Sequence, residues 1–394
     1  MKKILFITSR NIINTSGEMR LIKNRNHVMN IQYGIKTDFI AIFDKKKLGG
    51  KRESVSDDSV VKHVKYSKYN PFSYFFMYYQ TKKTIKKMIE EKNYDSIIVS
   101  GPLAIVFTRY VRHMFNKSNM ILDIHGALEE LIEFKSDNFY KNIGKRITYI
   151  LLKYLEKTNI NFYDAYFVVS DALSAYLDHE YRISKKNKYI IPCSLEEDQI
   201  ELEQKVKYRM EFRKYYGIND ELLFVYSGGV SPWQCIEETI SMFIKIQKKI
   251  QGKNVKLLIL SHELEKIKHL GINDSIIMDS LQSDMVNKVL CAGDYAFLLR
   301  DNYVTNNVAF PNKFLEYVNS GMRIITTPYV HDVKKYINEY HLGFIVENIN
   351  ENQDNLMKYF QEDFVYGDDF QKRKKLISSL SFNKTLKTFA ENLN

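Results

Sequence analysis

Residues 309–328 read "AFPNKFLEYVNSGMRIITTP". Proline favours the first helical position, and glycine is the usual residue just past the last. The run is therefore a short helix delimited by Pro311 and Gly321, leading into an apolar strand over Arg323–Thr327. Lys313 and Glu316 stand one turn apart on the same helix face. As a surface ion pair they would contribute about 0.2–0.5 kcal/mol. Phe314, Leu315, Tyr317 and Val318 make the helix largely embedded, however, and a charged pair in that position needs a partner.

Working outward, short apolar runs alternate with helical stretches along the whole chain. Runs begin at Ile4, Asp38, Ser96, Met120, Ala165 and Tyr189, and again at Leu222, Val255, Ser275, Tyr295, Arg323 and Gly343. Continuous apolar runs separated by helices indicate strands buried on both faces of parallel sheets. Between the two sets lies "LEEDQIELEQKVKYRMEFRKYYGIND" (195–220), polar and without a strand pattern, which reads as a linker followed by the first helix of a second domain. The expected fold class is α/β with two Rossmann-like domains, 1–195 and 196–370, and a C-terminal helix over 371–394 crossing back to the first. In such sheets ligands bind beyond the carboxyl ends of the strands. That rule directs attention to Ser9–Glu18, Gly101, His125–Glu130, Ser170, Gly228–Gln234, Ser261, Arg300–Asn312 and Thr327.

The totals agree with two packed domains. The chain has 394 residues, 45% of them hydrophobic and 13% aromatic, and single cores usually stop growing at about 250–300 residues. The opening "MKKILFITSR" carries too short an apolar run for a secretory signal and reads as a first buried strand of a cytoplasmic protein. No segment approaches the roughly 18 apolar residues of a spanning helix. Cys193, Cys235 and Cys291 fall in unlike contexts, which points to neither a zinc site nor a disulfide framework. The net charge of +11 attracts phosphate-bearing partners of several kinds, but the basic and aromatic residues form no recognised nucleic-acid-binding signature.

At the strand ends the chain resembles the GT-B glycosyltransferases, and within them the family 4 group that builds bacterial cell-surface polysaccharides such as capsule. The resemblance rests on "PNKFLEYVNSGMRIITTP" and on "VYSGGVSPWQCIEETI", which looks like that group's strand, glycine loop and helix. It implies two domains facing each other across a cleft that closes over a nucleotide-sugar donor. Glu316 would hold the ribose hydroxyls and Lys313 the diphosphate, assisted by the helix N-terminus. The family's first glutamate of a Glu-x7-Glu motif falls on Val308, so the loop containing Asn307 and Val308 would contact the donor sugar through backbone N–H groups instead. Gly228 opens the glycine loop, while the family's phosphate-clamping arginine and lysine fall on Gly229 and Gln234, and both cations are missing. Arg300, at the end of the "YAFLL" strand, is the expected substitute; its alternative is a surface arginine paired with Asp301.

In the first half, "ILDIHG" places His125 at a strand end, matching the family's active-site histidine. Glu129 and Glu130 would orient an acceptor hydroxyl or His125, or simply form the acidic first turn of a helix. Gly17 in "NTSGEMR" would let backbone approach donor or acceptor, with Thr15 or Ser16 as a helix N-cap. The stretch 69–87, "YNPFSYFFMYYQTKKTIKK", fits either an anionic membrane surface or, as the favoured reading, the buried face of a crossover helix. The resemblance implies a retaining, metal-independent hexosyl transfer from a nucleotide-diphosphate sugar, with UDP-sugar as the expected donor. The acceptor would be a cell-surface or lipid-linked glycan at the inner face of the plasma membrane, with no cofactor and no nucleic acid. A nucleotide-sugar 2-epimerase and a noncatalytic binding protein for anionic ligands are the alternatives.

Overall fold

The computed structural model describes residues 2–10, 17–47, 59–117, 119–195, 199–270, 273–347, 349, 357, 360 and 365–393. It divides into two compact units, Met1–Pro192 with Leu380–Asn394, and Cys193–Ser379.

The first unit is built on seven parallel strands: β1 (Lys3–Thr8), β2 (Lys36–Asp44), β3 (Val61–Tyr66), β4 (Ser96–Ser100), β5 (Met120–Ile124), β6 (Ala165–Val168) and β7 (Asn187–Ile190). Their order is β3-β2-β1-β4-β5-β6-β7. Ile4–Ile7, Ile97–Val99 and Met120–Leu122 are fully or almost fully buried, as strands covered on both faces must be. The order reverses between β1 and β4, and right-handed crossovers place the helix Gly17–Tyr33 on one face of the sheet. The helices Pro71–Glu91, Phe139–Asn159 and Asp171–Tyr181 lie on the other.

β3 is a strand without an apolar run. "VKHVKY" lies at the sheet edge with Lys62, His63 and Lys65 exposed, and an edge strand with lysines on its open side needs only one apolar face. The Pro71–Glu91 helix also differs from the favoured expectation. It buries Met77, Thr81, Ile85 and Met88, while Phe72, Phe75, Phe76 and Tyr79 are exposed. Periodicity explains this, because the small set at 77, 81, 85 and 88 already fills the stripe that meets the sheet.

The second unit holds β8 (Leu222–Ser227), β9 (Val255–Leu260), β10 (Ile276–Asp279), β11 (Tyr295–Leu298), β12 (Arg323–Thr326) and β13 (Gly343–Ile345), in the order β10-β9-β8-β11-β12-β13, all parallel. Its core includes Phe224 stacked on Tyr295 and Phe297, with ring centroids 5.1 and 5.6 Å apart. The order reverses between β8 and β11, which are hydrogen-bonded neighbours, so the carboxyl ends of these two strands form the crevice where such sheets bind ligands.

The tail is three helices, Phe370–Ser379, Phe382–Thr385 and Lys387–Asn392, rather than one. Ser381 is extended at the N-cap of the second, and serine favours caps over helix interiors because its hydroxyl competes for the backbone.

Candidate functional site

At the β8/β11 crevice, sequence-distant residues converge on Gln234. The helix Asn312–Ser320 begins after Pro311, which occupies the N-cap, and ends at Gly321 with φ +90°. Its Lys313 Nζ donates to Gln234 Oε1 at 2.5 Å and lies 4.2 Å from the centre of the Tyr226 ring. Arg300, directly after β11, is only 5% exposed, so it is not a surface arginine. Its Nη1 donates to the Leu299 carbonyl at 2.6 Å and reaches the Gln234 carbonyl at 3.5 Å. Thr327, just past β12, pins the Arg300 backbone from both sides: its hydroxyl accepts from Arg300 N at 2.9 Å and donates to Arg300 O at 2.6 Å. Gly228 is the floor beneath the lysine. It has φ +130°, and a Cβ there would stand 2.2 Å from Lys313 Cε.

The electrostatics of this cluster are unusual. Part of the Lys313 side chain remains accessible, yet its ammonium is enclosed by Tyr226, Gln234 and Gly228. Burial pushes it well below the ordinary lysine range, the Arg300 charge pushes it further down, and Glu316 opposes both. Arg300 is itself lowered by burial. Neither cation forms an ion pair among the described residues, so two like charges share a desolvated crevice. Burial raises the Tyr226 and Tyr317 phenols, which remain neutral; the Tyr317 hydroxyl accepts from Ser227 N at 2.9 Å.

In the glycine loop, Gly228 N donates to Leu260 O and Val230 N to Glu263 Oε2. The Gly229 N–H has no protein partner among the described residues. Gln234 occupies the position of the missing lysine and uses its amide oxygen to hold Lys313 instead, with Tyr226 OH donating to the same atom at 2.9 Å. Asn307 and Val308 do not offer free backbone donors as expected. They lie in a short helical turn, in which Asn307 N donates to Tyr303 O and Val308 N to Val304 O. Glu316 is half-buried one turn beyond Lys313.

In the first unit, His125 follows β5, and its Nε2 is 2.9 Å from Asp123 Oδ2. Asp123 in turn receives both terminal nitrogens of Arg25, at 2.9 and 2.7 Å. Burial alone would raise the Asp123 carboxyl, but Arg25 and His125 overcome that and hold it well below the usual carboxylate range. In the neutral imidazole, Nε2–H donates to this carboxylate and Nδ1 is left as an acceptor. Arg25 and Asp123 were not singled out in the sequence. The available signal was the Asp-x-His pattern, which puts both side chains on one face of a strand.

Glu129 is drawn elsewhere: its Oε1 accepts from Lys153 Nζ at 2.9 Å and Tyr149 OH at 3.1 Å. Glu130 is exposed at the start of the Glu130–Glu133 turn. Gly17 is the first residue of its helix, and the rest of its loop, including Thr15 and Ser16, lies outside the described residues.

A cavity of about 800 Å³ opens at the opposite, amino edge of the second sheet, but its arginines are committed. Arg209 and Arg213 both pair with Asp294, at 2.5 and 3.2 Å. Among the described residues no group of three or more His, Cys, Asp or Glu is placed to hold a metal ion.

Two parallel Rossmann-like sheets are the architecture of the GT-B fold. Several solved structures share it over the whole chain. Sucrose-phosphate synthase from Thermosynechococcus elongatus aligns with a TM-score of 0.72 at 13% identity, covering 100% of this chain and 99% of that one. A glycosyltransferase from Rickettsia africae aligns at 0.67 and 16%, covering 100% and 97%. The lipopolysaccharide outer core galactosyltransferase WaaB aligns at 0.67 and 14%, covering 99% and 98%. No protein-family model and no curated protein sequence matches the chain.

Proposed function

We propose that this protein is a glycosyltransferase that moves a hexose-type sugar from a nucleotide-diphosphate donor, a UDP-sugar, to a hydroxyl of a cell-surface or lipid-linked glycan. The observation that carries this reading is the Arg300–Lys313 pair. Two desolvated cations without a carboxylate partner in hydrogen-bond contact gain most from a bound anion, and a diphosphate supplies one. The Gly229 amide adds a donor, and Glu316 is the carboxylate for the ribose diol.

The barrier to glycosyl transfer lies mostly in departure of the nucleotide diphosphate from an oxocarbenium-like centre. Positive charge already fixed where phosphate charge develops is therefore the main catalytic device. Arg300 is fixed by Thr327, and Lys313 by Gln234, Tyr226 and the absence of a side chain at Gly228. His125 is the candidate site residue of the first unit, its orientation set by Asp123 and Arg25. Transfer proceeds with retention and without metal in this reading, at the inner face of the plasma membrane.

Thermal unfolding with UDP, GDP, CMP and no ligand tests the donor site. A ligand at 100 times its dissociation constant stabilises the fold by about 2.7 kcal/mol. The expected result is a shift with UDP that vanishes in Lys313→Ala and Glu316→Ala. No shift with any nucleotide overturns the reading. Transfer that persists at full rate in EDTA supports metal independence, and loss that magnesium restores overturns it.

A further inference from the structure

The helix Phe139–Asn159 is inside out. Amphipathic helices of globular proteins turn their apolar stripe inward and their polar face to water. Here the buried residues are Glu156 and Asn159, and the inward side is polar and hydrogen-bonded. Lys145 donates to the Phe134 carbonyl at 2.7 Å, Lys153 to Glu129 at 2.9 Å and Tyr149 to Glu129 at 3.1 Å. Glu156 accepts from Tyr181. The outward side carries Tyr140, Ile143, Ile147, Ile150, Leu151 and Tyr154, all exposed, from 43% at Ile143 to 81% at Tyr140. At 3.6 residues per turn and 1.5 Å rise per residue these six fall within a sector of roughly 100°, forming one continuous stripe about 21 Å long. A stripe of that extent left to water marks an interaction surface.

We propose that this face docks on an anionic lipid bilayer, the helix lying in the plane of the interface with its stripe among the headgroups. The charges choose this occupant. Lys141, Arg146 and Lys157 are exposed on the same helix and have no ion-pair partner among the described residues, and its single acid, Glu156, is buried. A second copy of the chain laid against the stripe would bring these like charges together, whereas an anionic bilayer neutralises them. No helix among the described residues is long and apolar enough to cross a membrane, which is consistent with lying on one. The exposed Phe72, Phe75, Phe76 and Tyr79 of the Pro71–Glu91 helix are on the same side of the sheet. In a parallel sheet both helices begin at the carboxyl edge, the edge that carries His125. The inference deepens the proposed function, since a lipid-linked acceptor would be presented at that edge.

The test is co-sedimentation of the full chain with phosphatidylcholine vesicles, with and without about one third phosphatidylglycerol, using no nucleotide. Wild type is expected to pellet with the anionic vesicles and to remain largely in solution with the neutral ones. Ile143→Ser/Ile147→Ser/Ile150→Ser is expected to lose at least tenfold in partition, and Lys141→Glu/Arg146→Glu/Lys157→Glu to lose the preference for anionic lipid. Unchanged UDP stabilisation in both variants shows that the fold and donor site are intact. Wild type that ignores anionic vesicles, or a triple-serine variant that binds them as well as wild type, overturns the proposal. So does a wild-type dimer that the serine substitutions convert to monomer. Because vesicle binding needs no donor, its failure beside a normal UDP shift removes only this inference, and the converse removes only the proposed activity.

Discussion

Lys313 and Gly228 are a matched pair at the scale of single residues. Alanine at 228 meets two obstacles: a backbone φ of +130° and a lysine Cε 2.2 Å from where its Cβ would stand. Side chains other than glycine's rarely adopt that φ, and such strain costs about 1–3 kcal/mol. Gly228→Ala is therefore expected to lower the midpoint of unfolding and to weaken UDP binding at least tenfold, read by calorimetric titration. The Asp123–Arg25 pair makes a prediction of a different kind. Breaking a buried pair costs about 3–5 kcal/mol because one charge is left unmatched, so Asp123→Asn should destabilise the first unit by about 3 kcal/mol at neutral pH. The folded carboxyl titrates below its unfolded value of about 3.9. Folded protein then binds fewer protons, and the stabilisation is present above about pH 4 and lost as pH falls through the folded value. Denaturant melts of wild type and Asp123→Asn should accordingly converge in acid.

At the scale of elements, the helix Leu202–Tyr215 carries a cost in its core. Lys205 is 1% exposed, its Nζ has no hydrogen-bond partner, and it sits 4.7 Å from the Phe370 ring centre. Burial lowers the ammonium to about 8 from 10.5, with a smaller upward effect from Cys291 and a smaller further lowering from Arg373. Unfolded protein binds more protons between those values, so the wild type gains stability as pH rises across that window. Lys205→Met, which keeps the length and removes the charge, should raise stability by about 1–3 kcal/mol at pH 7. The gain should shrink between pH 8 and 10.5, as measured by melts across that range. The strands contain another close contact. A Cβ at Gly343 would stand 2.0 Å from the Ile324 carbonyl oxygen, so β13 packs against β12 only because residue 343 has no side chain.

At the scale of the whole molecule, chain order and spatial grouping differ. Residues 380–394 return to the first unit, where Phe389 meets Phe167 and Tyr189 edge-on at 4.8 and 5.5 Å, and Tyr33 OH donates to Asn383 O. Burying a phenylalanine in such a place contributes about 3–5 kcal/mol. A chain ending at Ser379 should therefore lose the stability of the first unit while the second keeps its UDP shift. Two calorimetric transitions, only one of them nucleotide-sensitive, would show this; a single transition abolished by the truncation would contradict it.

The parallel α/β architecture was legible in the sequence because a strand covered on both faces must be apolar throughout, and the central strands among the described residues, such as β1, β4, β5, β8 and β11, announce themselves that way. The helix carrying Lys313 was equally legible, since proline and glycine act on backbone geometry locally. The edge strand β3 was not, because one sheet neighbour and an open side leave a mixed pattern. Nor were the partners that define the candidate site. Arg25 reaches Asp123 across 98 positions and Lys313 reaches Gln234 across 79, and no local rule connects residues so far apart. The Phe139–Asn159 helix shows the limit most directly: its periodicity reveals an apolar stripe from sequence alone, but which way the stripe faces depends on what the inward side can bond. Here Lys145, Lys153 and Glu156 found partners in the fold, and the apolar side was left outside.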